Sequence, residues 1–297
     1  MLAIPVTAQR NFRPDKKLER KLRALVEGFQ GDIGLFAWNL KSGKGAALQA
    51  DTLFPTASTI KVPILCGLFS KIDSGLLHYH QKLMYRDSLA YRGSGLMQYF
   101  RDSTPVDLSV PVTLMITRTD NTAALWCQAL AGGGQTINHW LEAQGFQATR
   151  VNSRTPGRHS DWEHYGWGQT TPREMARLLV AIYQKKVLSP AACERMYRNL
   201  THIYWDGNAL SQIPPFVQTA SKSGAVDAAR SEVVLVNAPH GDYVFAVYTK
   251  NNQDQRWSAD NEASTLIREI SALLWHFYEP HSRWHPASGM TALLGDE

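Results

Sequence analysis

Ser58 is followed three residues later by Lys61 in the segment Thr56-Ala57-Ser58-Thr59-Ile60-Lys61-Val62-Pro63, and no other serine in the chain has a lysine at that spacing. Positions i and i+3 share one face of a helix, so the hydroxyl and the amine can meet. A serine hydroxyl is a weak nucleophile until a neighbour takes its proton. Lysine can be that neighbour only when burial or a nearby cation pulls its pKa well below about 10.4. Ile60, Val62, Pro63, Ile64 and Leu65 surround it with apolar side chains, which predicts a desolvated amine. At a helix N-terminus, backbone N–H groups also favour negative charge on Ser58. On a charged surface helix the same pair would mean nothing.

Two further clusters follow in order. Thr119-Asp120-Asn121 joins two helical stretches and can present a hydroxyl and an amide to a cleft. Lys222-Ser223-Gly224 lies in a strand-like run: Lys222 adds positive potential, Ser223 a donor, and Gly224 lets a ligand approach the backbone closely. Each has a plain account by itself, Asp120 or Asn121 as a helix cap and Lys222 as a sheet-edge residue. Three such clusters on three kinds of element converging on one cleft have a chemical account.

The elements that must position them read as follows. A helix capped by Asp15 runs to about Phe29, with Leu18, Leu22, Leu25, Val26 and Phe29 on one face. Strands are predicted at 33–40, 46–50, 217–221, 232–237 and 243–250, and a closing helix over 259–277. Residues 56–212 between these ends read as almost wholly helical, at 58–73, 110–118, 121–131, 135–144, 172–186 and 189–199. The predicted fold is therefore α+β: a five-stranded antiparallel sheet flanked by N- and C-terminal helices (15–55 and 213–279), with an inserted all-helical lobe (56–212). Residues 280–297 are expected to form a loose tail. The segment 151–171 is the one long stretch without periodicity, and a loop of that length in a compact domain is usually functional.

The three clusters resemble the Ser-x-x-Lys, Ser-Asp-Asn and Lys-Thr/Ser-Gly signatures of the class A β-lactamase and serine penicillin-binding superfamily. The likeness covers residues 18 to 278, and Gly93-Ser94-Gly95 and Thr170-Thr171-Pro172 resemble its β-lactamase-like branch. It implies that Ser58 forms an acyl-enzyme and Lys61 relays its proton. Thr119, where the family has serine, would pass a proton to the leaving nitrogen. Asn121 would hold the substrate's amide side chain, and Lys222 with Ser223 its carboxylate. The amides of Ser58 and Ala225, beside Gly224, would form the oxyanion hole. Arg230 is either a further carboxylate contact or a strand-surface arginine. The resemblance implies a β-lactam or a related amide or ester as substrate. A D,D-peptidase or esterase, and a slowly turning over β-lactam sensor or sink, are the alternatives.

One departure bears on turnover. Class A β-lactamases carry a glutamate in the long loop that activates the deacylating water, and the corresponding position here is Thr155. Threonine cannot act as a general base at neutral pH. Glu163, Asp161, His159 and His164 share the loop and are the candidate substitutes. Acylation is supported and fast deacylation is not.

The remaining composition narrows the alternatives. Of 297 residues, 44% are hydrophobic and 19% charged, which suits a sizeable core. Net charge is +5, but the basic run near the start shares a helix with an apolar face, so no nucleic-acid partner is expected. Cys66, Cys127 and Cys193 are too few for a disulfide framework or zinc site; an odd count suggests thiols, with a Cys66–Cys127 bridge left open. No His-Glu-x-x-His spacing, phosphate loop or dinucleotide fingerprint occurs, so neither metal nor cofactor is expected. No run approaches 18 apolar residues, so no membrane span is predicted. No export signal is visible, which points to the cytoplasm, or to the periplasm or secretion had a signal peptide been removed. A monomer is the simplest expectation.

Overall fold

The computed structural model describes residues 11–287. A two-residue strand β1 (Arg13–Pro14) leads into α1 (Lys16–Val26), β2 (Asp32–Asn39) and β3 (Lys44–Leu48). The other end supplies β9 (Thr219–Val226), β10 (Ala229–Val236), β11 (Tyr243–Lys250) and α9 (Glu262–Tyr278). Between them lie β4 (Phe54–Pro55), a 3₁₀ turn Ala57–Ile60, α2 (Lys61–Asp73), β5 (Lys82–Met84) and β6 (Pro105–Asp107). Then come α3 (Ser109–Thr117), α4 (Asn121–Leu130), α5 (Gly133–Ala143), β7 (Arg150–Val151), α6 (His159–Tyr165), β8 (Gly168–Thr170), α7 (Pro172–Tyr183) and α8 (Pro190–Leu200).

The sheet order is β1-β3-β2-β11-β10-β9. Five strands pair antiparallel, as predicted, and β1 adds a sixth, parallel to β3 through Arg13↔Lys44 and Pro14↔Gly45. Alternate side chains of one strand face opposite sides of a sheet, and here both sides are covered. Ile33, Leu35 and Ala37 of β2, Val234 of β10 and Phe245 of β11 share a core with Leu18 and Leu22 of α1 and Leu266, Ile267 and Ile270 of α9. Phe36 and Trp38, Val233 and Leu235, and Ala246 and Tyr248 point the other way, into a larger core with α2, α4, α7 and α8. An 11-residue helix such as α1 is marginal in isolation. It is fixed here by the fully buried Leu18 and Leu22 and by Asp15, whose Oδ1 accepts from the amides of Lys17 and Leu18 at 3.0 and 3.2 Å.

The middle of the chain is less uniformly helical than its periodicity implies. β4, β8 and β7 form a three-stranded sheet, and β5 and β6 pair as a small ribbon. Strands of two or three residues carry too few side chains to show a period. The segment 151–171 likewise holds a helix, α6, that the sequence did not announce. Of the predicted tail, 280–287 has no regular element beyond a turn at its start, and 288–297 lie outside the described residues. No helix among the described residues is long and apolar enough to cross a membrane.

Candidate active site

Ser58 sits in the 3₁₀ turn that feeds directly into α2. Ala57, just before it, has φ +44°, a left-handed conformation that a residue with a Cβ adopts only under constraint. The constraint is visible. Ser231 Oγ donates to Thr56 O at 2.9 Å, Thr59 Oγ1 to the same carbonyl at 2.8 Å, and Tyr248 Oη to Thr59 Oγ1 at 2.9 Å. The turn is thus tied to β10 and β11, while the Thr56 amide donates to Gly168 O at 2.9 Å. Ser58 itself stays half-exposed.

Lys61 begins α2 and is wholly buried. Its Nζ lies 3.0 Å from Ser58 Oγ, 2.9 Å from Asn121 Oδ1, 2.5 Å from Thr119 O and 3.2 Å from Thr119 Oγ1. Burial pulls the amine well below its usual pKa, and the positive charge of Lys222 pulls it further; the Asp120 charge works the other way. A neutral amine has two N–H groups and one lone pair. The Thr119 carbonyl and the Asn121 amide oxygen can only accept, so they take the two N–H groups. In that form the lone pair is left for a hydroxyl proton, with Ser58 Oγ at 3.0 Å nearer than Thr119 Oγ1 at 3.2 Å, the arrangement that proton abstraction requires.

Thr119 holds φ +51°, a strained value for a β-branched residue that costs on the order of 1–3 kcal/mol. Asp120 supplies the frame around it. Its Oδ1 caps α4 by accepting from Ala123 N at 2.8 Å, and its Oδ2 accepts from the amides of Leu96 and Met97 at 2.6 and 2.8 Å. This is the use of Gly93-Ser94-Gly95. Gly95 has φ +113°, and a Cβ there would lie 2.4 Å from Asp120 Oδ2. Asn121 N donates to Ser94 O at 2.9 Å, fixing the amide that faces Lys61.

On the sheet side, β9 is an edge strand paired to β10 with Lys222↔Val233 and Ser223↔Glu232. Val233 and Ser231 face the larger core and the Ser58 turn, so Lys222 does too; it is buried, with Nζ 2.8 Å from Ser223 O. Alternation puts the Ser223 side chain on the other face beside Glu232, so its hydroxyl reaches the cleft only around the free edge of β9. Gly224 runs against the nucleophile: a Cβ there would lie 2.7 Å from both Ser58 N and Thr56 O. Ala225 follows at the same edge, half-exposed.

The segment expected to supply a deacylating base is anchored but offers none at this wall. β7 and β8 pin its ends beside the Ser58 turn through Phe54↔Thr170 and Arg150↔Gln169. Thr155 is buried; its Oγ1 donates to Ser153 O at 3.0 Å, and its side chain packs so closely on Gly134 that a Cβ there would overlap it. Glu163 stands on α6, exposed and 3.3 Å from His159 Nε2. Asp161 pairs with Arg158 at 3.1 Å. His164 is exposed and stacks edge-on against Tyr165.

Arg230 is not a surface arginine. It is 4% exposed, donates to Val226 O, Ala229 O and Arg256 O, and lies 4.7 Å from the Trp257 ring, clamping the β9–β10 turn. Three contributors had no motif to mark them. The Trp167 ring centre lies 5.9 Å from Lys61 Nζ, helping to desolvate it. Ser231 ties β9 to the Ser58 turn. Glu232, 1% exposed behind β9, accepts from Ser221 Oγ at 2.9 Å and Ala209 N at 3.0 Å; burial pushes its pKa up to about 7. Their only sequence signal was proximity to the Lys-Ser-Gly run or to the long loop. Cys66, Cys127 and Cys193 are buried free thiols. Among the described residues no cluster of three or more His, Cys, Asp or Glu could hold a metal.

Residues 17–278 match the β-lactamase enzyme family. The chain is 24% identical over 273 residues to β-lactamase VEB-1 of Pseudomonas aeruginosa, covering 88% of this chain and 90% of that protein. Its fold superposes on the structure of PBP-A with a TM-score of 0.81 and 27% identity, across 92% of this chain and 99% of the other. A mutant of PBP-A in an acyl-enzyme complex with penicillin G superposes equally well, at a TM-score of 0.81, 27% identity, and 91% and 99% coverage. Because the matched stretch takes in the Ser58 turn, the Thr119 loop and β9 together, the chain belongs to the β-lactamase enzyme family and is a class A β-lactamase-like serine hydrolase.

Proposed function

We propose that the enzyme acylates Ser58 with β-lactams or related amides and esters, and that it releases the acyl group slowly. The observation that carries this reading is the four-oxygen shell of Lys61. Ser58 Oγ attacks the carbonyl as its proton passes to Lys61 Nζ. The C–N bond breaks, and Thr119 Oγ1 hands a proton to the leaving nitrogen while recovering one from Lys61. The amides of Ser58 and Ala225 receive the developing oxyanion, an effect commonly worth about 3–4 kcal/mol per donor. Lys222 draws a substrate carboxylate, with Ser223 at the strand edge and Asn121 on the amide side chain.

Slow release is supported by Thr155, a hydroxyl already committed to the Ser153 carbonyl, and by Glu163, whose described partner is His159. Similarity to PBP-A favours a second reading within the same chemistry, a D,D-peptidase or esterase in which an amine or a water accepts the acyl group. A protein that stays acylated would act as a β-lactam sensor or sink. Intact mass after mixing with benzylpenicillin separates these readings. The expected result is an adduct of the intact drug mass that persists for many minutes and is absent from Ser58→Ala. Prompt disappearance of the adduct would overturn slow release, and labelling of Ser58→Ala would overturn the nucleophile.

A further inference from the structure

A cleft of about 430 Å³ is lined by Tyr91, Leu125, Arg154, Thr155, Trp162 and Trp167 among others. It adjoins the reacting groups across the Trp167 ring, which faces Lys61 Nζ on one side and meets Tyr91 edge-on at 5.3 Å. Through Trp167 the cleft becomes the candidate space for the substituent of an acyl group attached to Ser58. Three of the lining side chains are large aromatics, which suits a ring.

The charge at the mouth is one-sided. Arg154 is exposed, and the described contact of its guanidinium is the Tyr91 ring, 5.9 Å away. Its backbone is held at φ +47°, so its side chain leaves the loop in a direction that an extended residue would not take. The two acids of α6 are engaged by side chains of the same segment, Asp161 by Arg158 and Glu163 by His159. Arg92, beside Tyr91, is also exposed. Among the described residues, no acidic side chain lines the cleft. A cation resting on an aromatic face and facing solvent is placed to receive an anion, and a guanidinium matches a carboxylate with two parallel hydrogen bonds.

We propose that Arg154 is a specificity-determining residue that selects acyl groups carrying both an aromatic ring and a carboxylate next to the amide. This rests on the acyl-enzyme reading above and names the substrate class of the same site. The test compares the second-order rate of Ser58 acylation by benzylpenicillin and by its α-carboxylated analogue, read as intact mass. Both are measured for the wild type, Arg154→Gln and Arg154→Lys.

The wild type should favour the α-carboxylated compound about fivefold, the scale of one partly exposed ion pair. The ratio should fall to near one in Arg154→Gln and recover in part in Arg154→Lys. It should also shrink in the wild type as NaCl is raised from 0.05 to 0.5 M, a readout that needs no variant to fold. Equal rates in the wild type, or a preference that persists in Arg154→Gln or is indifferent to salt, would overturn the assignment while leaving acylation intact. Labelling by neither compound would instead overturn the acyl-enzyme reading, and this one with it.

Discussion

Around Lys61, four oxygen atoms lie within 3.2 Å of one buried nitrogen, drawn from the Ser58 turn, the Thr119 loop and α4. In the segment 150–171, by contrast, the acids Asp161 and Glu163 are open to solvent and pair with Arg158 and His159. The first wall takes an amine out of water and surrounds it with acceptors; the second leaves its acids in water, where a pair is worth about 0–1 kcal/mol. Burial and a neighbouring cation each lower a lysine's pKa, and Lys61 has both. On the proposed reading, the two halves of a hydrolytic cycle are separable within one fold. Acylation draws on the buried wall, whereas release asks for a base from a wall whose acids, Asp161 and Glu163, are paired with Arg158 and His159.

That contrast can be broken most directly at Lys61. Lys61→Ala should slow Ser58 acylation by at least about a hundredfold to ten-thousandfold, the range lost with a general base. An acylation rate within a few-fold of wild type would mean that the four-oxygen shell is structural only. Thr155→Glu tests the other wall by supplying the missing carboxylate. It should shorten the lifetime of the benzylpenicillin adduct by about a hundredfold with little change in its rate of formation. An unchanged lifetime would show that the loop, and not the residue type, withholds the water.

A finer test uses the charge of Lys222. Acylation needs neutral Lys61, so its rate rises with pH through the depressed Lys61 pKa. Removing the neighbouring cation in Lys222→Ala weakens that depression, and the acidic limb of the rate profile should move to higher pH. On that limb each unit of movement lowers the rate about tenfold at fixed pH. A limb that stays in place would leave desolvation as the whole cause.

The smallest expected effect lies behind β9. Glu232 keeps its proton up to about pH 7 in the folded chain, against an ordinary value of 4.5. Between those values the folded state binds more protons than the unfolded one, so stability falls as pH rises through the window. Glu232→Gln should therefore leave the melting temperature unchanged at pH 4 and raise it by a few degrees at pH 8. Equal melting temperatures at both pH values would show that the carboxylate is compensated when ionised.

Much of the acylation wall was legible in the sequence because its parts are short-range: a Ser-x-x-Lys spacing, a cap-like Thr-Asp-Asn, a Lys-Ser-Gly on a strand. Gly93-Ser94-Gly95 was noticed as a pattern, but that it wraps the Asp120 carboxylate follows from Oδ2 contacts across 23 and 24 residues. That Arg230 is buried rather than at the surface was not legible, because a strand position says nothing about a turn that folds back over it. The helix α6 was missed because its seven residues, His-Ser-Asp-Trp-Glu-His-Tyr, have no buried face.

The sequence by itself determined five of the six sheet strands and the helices that flank them, through the pattern of apolar residues and turns, and the identity of the groups able to do chemistry, through residue type. Tertiary structure alone decided which of those groups meet: Lys61 with Thr119 and Asn121 across about sixty residues, Ser231 with Thr56 across 175, and Arg154 with the aromatic wall. The physical reason is that a hydrogen bond or a pKa shift depends on distance and desolvation. Both arise only when remote segments exclude water from the same place.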